Sequence, residues 1–190
     1  MRNLVRFMGV GLLVAGLAAC DGNSTDSAGQ PAAGDTPVQA SVPAGENISL
    51  MDGKVSFTLP AGLSDQSGKL GTQSNNMYVY ADKSGQQAII VITAPLPAEG
   101  LDVLSGRLVE QQKSRDPNLK VLANKPVELN GATLQQVNSV QTLKGVTSYS
   151  SIVLGKTGDQ LLTMQITLPA TNQQEAENIA NGVLNTLKVK

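Results

Sequence analysis

Apolar and polar positions alternate in several stretches of this chain. The clearest is residues 160–168, where Leu162, Met164, Ile166 and Leu168 interleave with Leu161, Thr163, Gln165 and Thr167. A period of two predicts a strand with one face turned inward. Residues 54–59 repeat the pattern through Val55, Phe57 and Leu59 and stop at Pro60. Residues 77–81 and 88–93 read as two more strands separated by the turn Asp82-Lys83-Ser84-Gly85. In the second of these, Ala88-Ile89-Ile90-Val91-Ile92 is apolar at every position, which predicts a central strand covered on each side. Residues 132–141 and 147–154 supply further strands, the first less clearly because Leu134, Val137 and Val140 are spaced by three.

Two stretches follow the helical period instead. Leu101, Leu104 and Leu108, with Val103 close to the same face, predict a surface helix over about 99–115, and Pro117 prevents its continuation. Near the end, Thr171 suits an N-cap and Gln174 stands where a capping box wants Glu or Gln. Glu175 and Glu177 favour the positive start of that helix. Its stripe of Ala176, Ile179, Ala180, Val183, Leu184 and Leu187 must pack on a sheet. Strands, helix, strands, helix is the order of an α+β domain: a largely antiparallel sheet flanked by helices.

The amino-terminal segment follows neither period. Arg2 and Arg6 precede a short apolar run that ends in Leu17-Ala18-Ala19-Cys20. A spanning helix needs about 20 apolar residues, and this run is too short and too rich in Gly and Ala. The order of elements is that of a lipoprotein signal over residues 1–19. Cys20 is then expected to become the first residue, carrying a diacylglyceryl thioether and an acylated amine, because stable anchoring takes more than one chain. Residues 20–47 hold the lipidated cysteine and a Gly/Ala/Ser/Thr/Pro-rich linker without aromatic residues, with an end-to-end distance on the order of 30 Å. Residues 48–190 are expected to form a single folded domain.

Composition narrows the chemistry. Loss of Arg2 and Arg6 with the signal lowers the formal charge from −1 to −3, and Lys54, Lys69, Lys83, Lys113, Lys120, Lys125, Lys144 and Lys156 are scattered along the chain. Neither fact favours nucleic acid or anionic headgroups as partners. The chain has no histidine, and its one cysteine is consumed by lipid. That excludes a Ser-His-Asp triad, a Cys-His dyad and zinc sites. Carboxylate, lysine or tyrosine chemistry remains, but no pair of carboxylates stands out, and Asp52, Asp65, Asp82 and Asp159 fall where turns are expected. No catalytic residue, cofactor or metal is expected.

Four features are weighed as sites. Gly155-Lys156-Thr157 resembles the end of a P-loop, but Ser150 stands where the opening glycine belongs and a strand follows, so 156–159 reads as a hairpin connection. Arg115-Asp116-Pro117 reads as a helix stop. Tyr78 and Tyr80 share one strand face and, with Tyr149, read as core packing before they read as a pocket. The polar loop 67–76 is long enough to carry a binding role.

The segments MRNLVRFMGVGLLVAGLAACD, LMDGKVSF, DQSGKLGTQSNNM, SRDPNL and YSSIVLGKTGDQLLTMQITLP together resemble the DcrB family of enterobacterial envelope lipoproteins. The resemblance implies a Mog1/PsbP-like fold, a twisted antiparallel sheet flanked by helices. It brings no catalytic motif. It implies a non-enzymatic protein supporting envelope integrity and bacteriophage infection, working through an envelope protein partner. In bacteria of this kind Asp after the lipidated cysteine retains a lipoprotein in the inner membrane; Asp21 matches that position, and Gly22 modulates the signal. The alternative is a small-ligand or lipid carrier with a cavity between sheet and helices.

Overall fold

The computed structural model describes residues 45–69, 75–143 and 145–190. Its longest strands form by tight turns. β6 (Lys120–Leu129) and β7 (Ala132–Leu143) are joined by Asn130-Gly131, both in the left-handed region at φ 49° and 84°, the pair that a two-residue hairpin prefers. β8 (Val146–Thr157) and β9 (Gln160–Pro169) meet at Gly158-Asp159, in register Thr157 to Gln160. β3 (Ser64–Asp65), β4 (Met77–Ala81) and β5 (Ala88–Pro95) complete a seven-stranded sheet in the order β3-β4-β5-β9-β8-β7-β6. A second sheet sets β2 (Val55–Leu59) between β1 (Glu46–Leu50) and β10 (Lys188–Val189). All the pairings are antiparallel. With α1 (Leu101–Arg115) and α2 (Gln173–Thr186), this is the α+β class that the periodicities predict.

The core lies between one face of the large sheet and the layer made by α2 and the small sheet. Ile89 and Val91 of β5, Met164 and Ile166 of β9, and Tyr149 and Val153 of β8 meet Ala180, Val183 and Leu187 from the helical end and Val55, Phe57 and Leu59 from β2. All are buried, and each large aliphatic or aromatic side chain contributes about 1.5–3 kcal/mol of transfer free energy. Phe57 meets Tyr80 edge-to-face at 5.8 Å. The stripe expected of the last helix faces this core, except that Ile179 is half-buried at its margin.

Several local expectations are corrected. The N-cap of α2 is Asn172, whose Oδ1 accepts the Glu175 N–H at 3.3 Å; Thr171 stands outside the helix. Asn is at least as good a cap as Thr, and it stands one residue closer to the apolar stripe. α1 buries Ser105 and Val109 rather than a Leu101-Leu104-Leu108 line, which is half-buried, and Val103 is 49% exposed. Lys156 and Thr157 belong to β8, so the connection to β9 is only two residues long. β1, β3, β6 and β10 had no counterpart among the expected strands, and β1 opens at Glu46, two residues ahead of 48. β5, expected to be covered on each side, is covered on one: Ile89 and Val91 are buried, Ile90 is half-buried and Ile92 is 37% exposed.

A half-covered sheet face as the candidate interface

α1 packs over β6, β7 and β8 on the face opposite α2. Ser105, fully buried at the contact, places its hydroxyl 2.9 Å from Asn124 Oδ1, and Gln135 Nε2 donates to the same oxygen at 2.7 Å. The helix therefore seats on polar anchors at the β6 edge of the sheet, which leaves β5 and most of β9 uncovered. There the rows Ile90–Gln165, Ile92–Thr163 and Ala88–Thr167 face outward.

Two depressions open on this face. One of about 220 Å³ lies against the flank of α1, lined by Leu104, Arg107, Leu108, Leu154, Leu161 and Thr163. The other, about 260 Å³, is lined by Gln86, Val146, Ser148, Thr167 and Pro169, with Val146 59% exposed. Gln165 lies between them on β9, within 3.4 Å of Ser150 Oγ and 3.3 Å of Thr167 Oγ1. The charge at the margin is Arg107, which pairs with Glu99 at 2.5 Å across exposed surface. Aliphatic, hydroxyl and amide groups in a broad trough make a surface for docking, with no group poised for proton transfer.

The residues weighed from sequence go elsewhere. Tyr78 and Tyr80 do share the inner face of β4, opposite Val91 and Ile89. Burial pushes the Tyr80 phenol up to about 12, with Asp65, Tyr78 and Glu46 adding to the rise. Tyr149 lies fully buried under α2; burial and then the Glu177 carboxylate push it up to about 12, while the Ser151 hydroxyl pulls the other way. That hydroxyl donates to Asn138 Oδ1 at 2.8 Å and receives Gln136 Nε2 at 3.1 Å; it lies near the phenol oxygen but outside hydrogen-bond distance of it. Gly155 lies in mid-strand, where a Cβ would run into the Leu134 side chain. Its role is close packing, and phosphate has no helix start to bind there.

Asp116 caps the end of α1, its N–H donating to Gln112 O and its Oδ1 accepting the Asn118 N–H at 2.9 Å. Of the loop 67–76, residues 70–74 lie outside the described residues, as do Cys20 and Asp21. Its base is tied down: Ser67 Oγ accepts the Val79 N–H at 3.0 Å, and Asn76 Nδ2 donates to Thr93 O at 3.0 Å. Hydrogen bonds from the Ser67 side chain and backbone hold the Asp65 carboxyl below its ordinary value, and the Ser84 hydroxyl does the same for Asp82. Among the described residues no group of three His, Cys, Asp or Glu side chains could hold a metal ion.

The trough has a faint signal in the sequence that one strand alone does not carry. β5 alone reads as two-sided, but its neighbour β9 alternates, with Thr163, Gln165 and Thr167 on one face. Ile90 and Ile92 lie on that same polar face, since they pair with Gln165 and Thr163.

Comparison with known proteins places the chain. A family model described as DcrB matches residues 55–186. The inner membrane lipoprotein DcrB of Shigella flexneri is 53% identical over 190 residues, with all of both chains covered. Among solved structures, cyanobacterial PsbP (CyanoP) from Synechocystis matches with a TM-score of 0.59 at 10% identity, over 84% of this chain and 98% of that one. LpqN of Mycobacterium tuberculosis, described as involved in cell envelope biogenesis, matches with a TM-score of 0.52 at 12% identity, over 75% and 88%. These two likenesses show the fold alone, and it is the PsbP-like fold that the resemblance implied.

Proposed function

The chain belongs to the DcrB family, and we propose that it is a lipoprotein of the inner membrane whose domain holds a protein partner at the periplasmic face, supporting envelope integrity and bacteriophage infection without catalysis. The anchor is Cys20, and Asp21 is the retention signal. The observation that carries the reading is the half-covered face. A sheet that fills one side with core and leaves Ile92 and Val146 exposed on the other, beside Thr163, Gln165 and Thr167, presents a mixed apolar and hydroxylic patch of the kind partners cover. A non-catalytic role is supported by chemistry. The chain lacks histidine, Asp65 and Asp82 are held ionised by turn hydroxyls, and the two tyrosines with raised values are locked in the core.

A photo-crosslinking residue at position 92 or 165 of the full chain, irradiated in native membranes, tests it. The expected result is a discrete protein adduct from these positions and none from position 128, exposed on the edge strand β6 three strands away from β9. Adducts of equal yield at all three would remove the trough from the reading. Complementation of a deletion strain separates the anchor from the face: Cys20→Ala abolishes membrane retention, and Asp21→Ser redirects the protein to the outer membrane.

A further inference from the structure

The outward face of the small sheet has a composition unlike either face of the large one. Val55, Phe57 and Leu59 of β2 turn inward, and so do their cross-strand partners on β1. The alternate residues turn outward: Asn47 and Ser49 from β1, Ser56 and Thr58 from β2, and Lys188 from β10, which pairs with Ser56. Thr186, from the last turn of α2, closes one side, and together they line a depression of about 430 Å³. Beyond the depression, the Lys190 N–H donates to Lys54 O at 2.9 Å, and the Lys54 ammonium reaches toward Gly158 at the β8–β9 turn. The three strands carry one carboxylate, Glu46, and it lies on the inward side opposite Leu59, where its charge reaches Tyr80. The depression therefore holds one lysine, Lys188, and no carboxylate in its lining.

We propose that this face binds a phosphate-bearing anion. Thr58 and Thr186 are already committed: the Thr58 N–H donates to Thr186 Oγ1 at 2.9 Å, and the Thr58 hydroxyl donates to Asn47 Oδ1 at 3.1 Å. These bonds fix the floor of the depression and leave the Asn47 amide N–H groups free to donate. Ser49, Ser56 and Lys188 make no side-chain hydrogen bond or ion pair among the described residues, so two hydroxyls and one ammonium stand beside that amide. Neutral and cationic donors converging without a carboxylate suit the several acceptor oxygens of a phosphate.

The opposing influence is the carboxyl end of α2, whose dipole disfavours an anion. Here its carbonyls are occupied. Val183 O accepts from the Thr186 hydroxyl, Leu184 O from the Leu187 N–H, and Asn185 O and Leu187 O from Asn130 Nδ2. The Lys188 ammonium therefore decides the sign of the site. β1 is also the first described strand after Cys20, so under the proposed anchoring this is the folded surface nearest in sequence to the lipid. The phosphate chemistry itself stands without that reading.

The test uses the full lipidated chain in nanodiscs, with NMR shifts of Asn47, Ser49, Ser56 and Lys188 as the readout. In one arm inorganic phosphate is titrated into phosphatidylcholine discs; in the other, phosphatidylglycerol replaces part of the phosphatidylcholine. Saturable shifts at these four residues in either arm support the site. A response to phosphatidylglycerol alone assigns it to a headgroup, and a response to phosphate assigns it to the phosphate group itself. Lys188→Glu is expected to weaken binding by about tenfold or more, and Lys188→Arg to retain it, with melting temperatures unchanged because the side chain is exposed. Silence at the four residues in both arms overturns the proposal. So does an unchanged response in Lys188→Glu, or an equal response at the remote Lys83.

Discussion

The two faces of the large sheet are cut from the same strands and differ in what covers them. Under α2, β5 presents Ile89 and Val91 and β9 presents Met164, Ile166 and Leu168, all buried. On the other side the same strands present Ile90, Ile92, Thr163, Gln165 and Thr167, and α1 packs mainly on β6, β7 and β8. Apolar content in a strand therefore reports burial only when the adjacent strand agrees. Where β5 and β9 disagree, the isoleucines stand beside hydroxyls, and the surface is suited to a partner that arrives later.

The sharpest break of this contrast is a cavity on the filled side. Phe57→Ala removes a buried ring packed on Tyr80 and is expected to cost about 3–5 kcal/mol in denaturant unfolding. Alkaline titration comes next. Tyr80 and Tyr149 stay protonated in the fold up to about pH 12, against about 10 in the unfolded chain. The stability this gives is fully present below pH 10 and lost as pH rises through 12, about 2–3 kcal/mol for each ring. Unfolding followed over that window should lose roughly half of the effect in Tyr149→Phe. Asn172→Ala, at the rim between the faces, should cost about 1 kcal/mol by removing the cap of α2. Ile92→Gln, on the open side, should change stability by less than about 0.5 kcal/mol while lowering the crosslinking yield from position 165. A loss near that of Phe57→Ala would mean that the open face is core after all.

Legibility in the sequence followed the same divide. β2, β9 and α2 were readable because each has one apolar face and one wet face, so period and burial coincide. β7 was weak because polar side chains are buried along it. Gln136 and Asn138 join Ser151 on one side and Gln135 joins Asn124 on the other, so hydrogen bonds replace the apolar positions that a periodicity looks for. β6 was missed because it is an edge strand with Lys120, Lys125, Pro126 and an irregularity between Val121 and Ala123, the devices that blunt an edge. Lys188 is legible in the sequence as one cation among many, and only the pairing of β10 with β2 brings it beside Ser56.

That pairing also sets an order of assembly. β2 lies near the amino end of the domain, yet its second neighbour is Lys188–Val189, and its Thr58 N–H waits for Thr186, 128 residues away. Closing so long a span is slow relative to the hairpins around it. Under the proposed anchoring, a chain that crosses a membrane amino end first would expose Cys20 to its modifying enzymes well before Val189 emerged; lipid attachment would then precede completion of the fold, and the last strand to arrive locks the first.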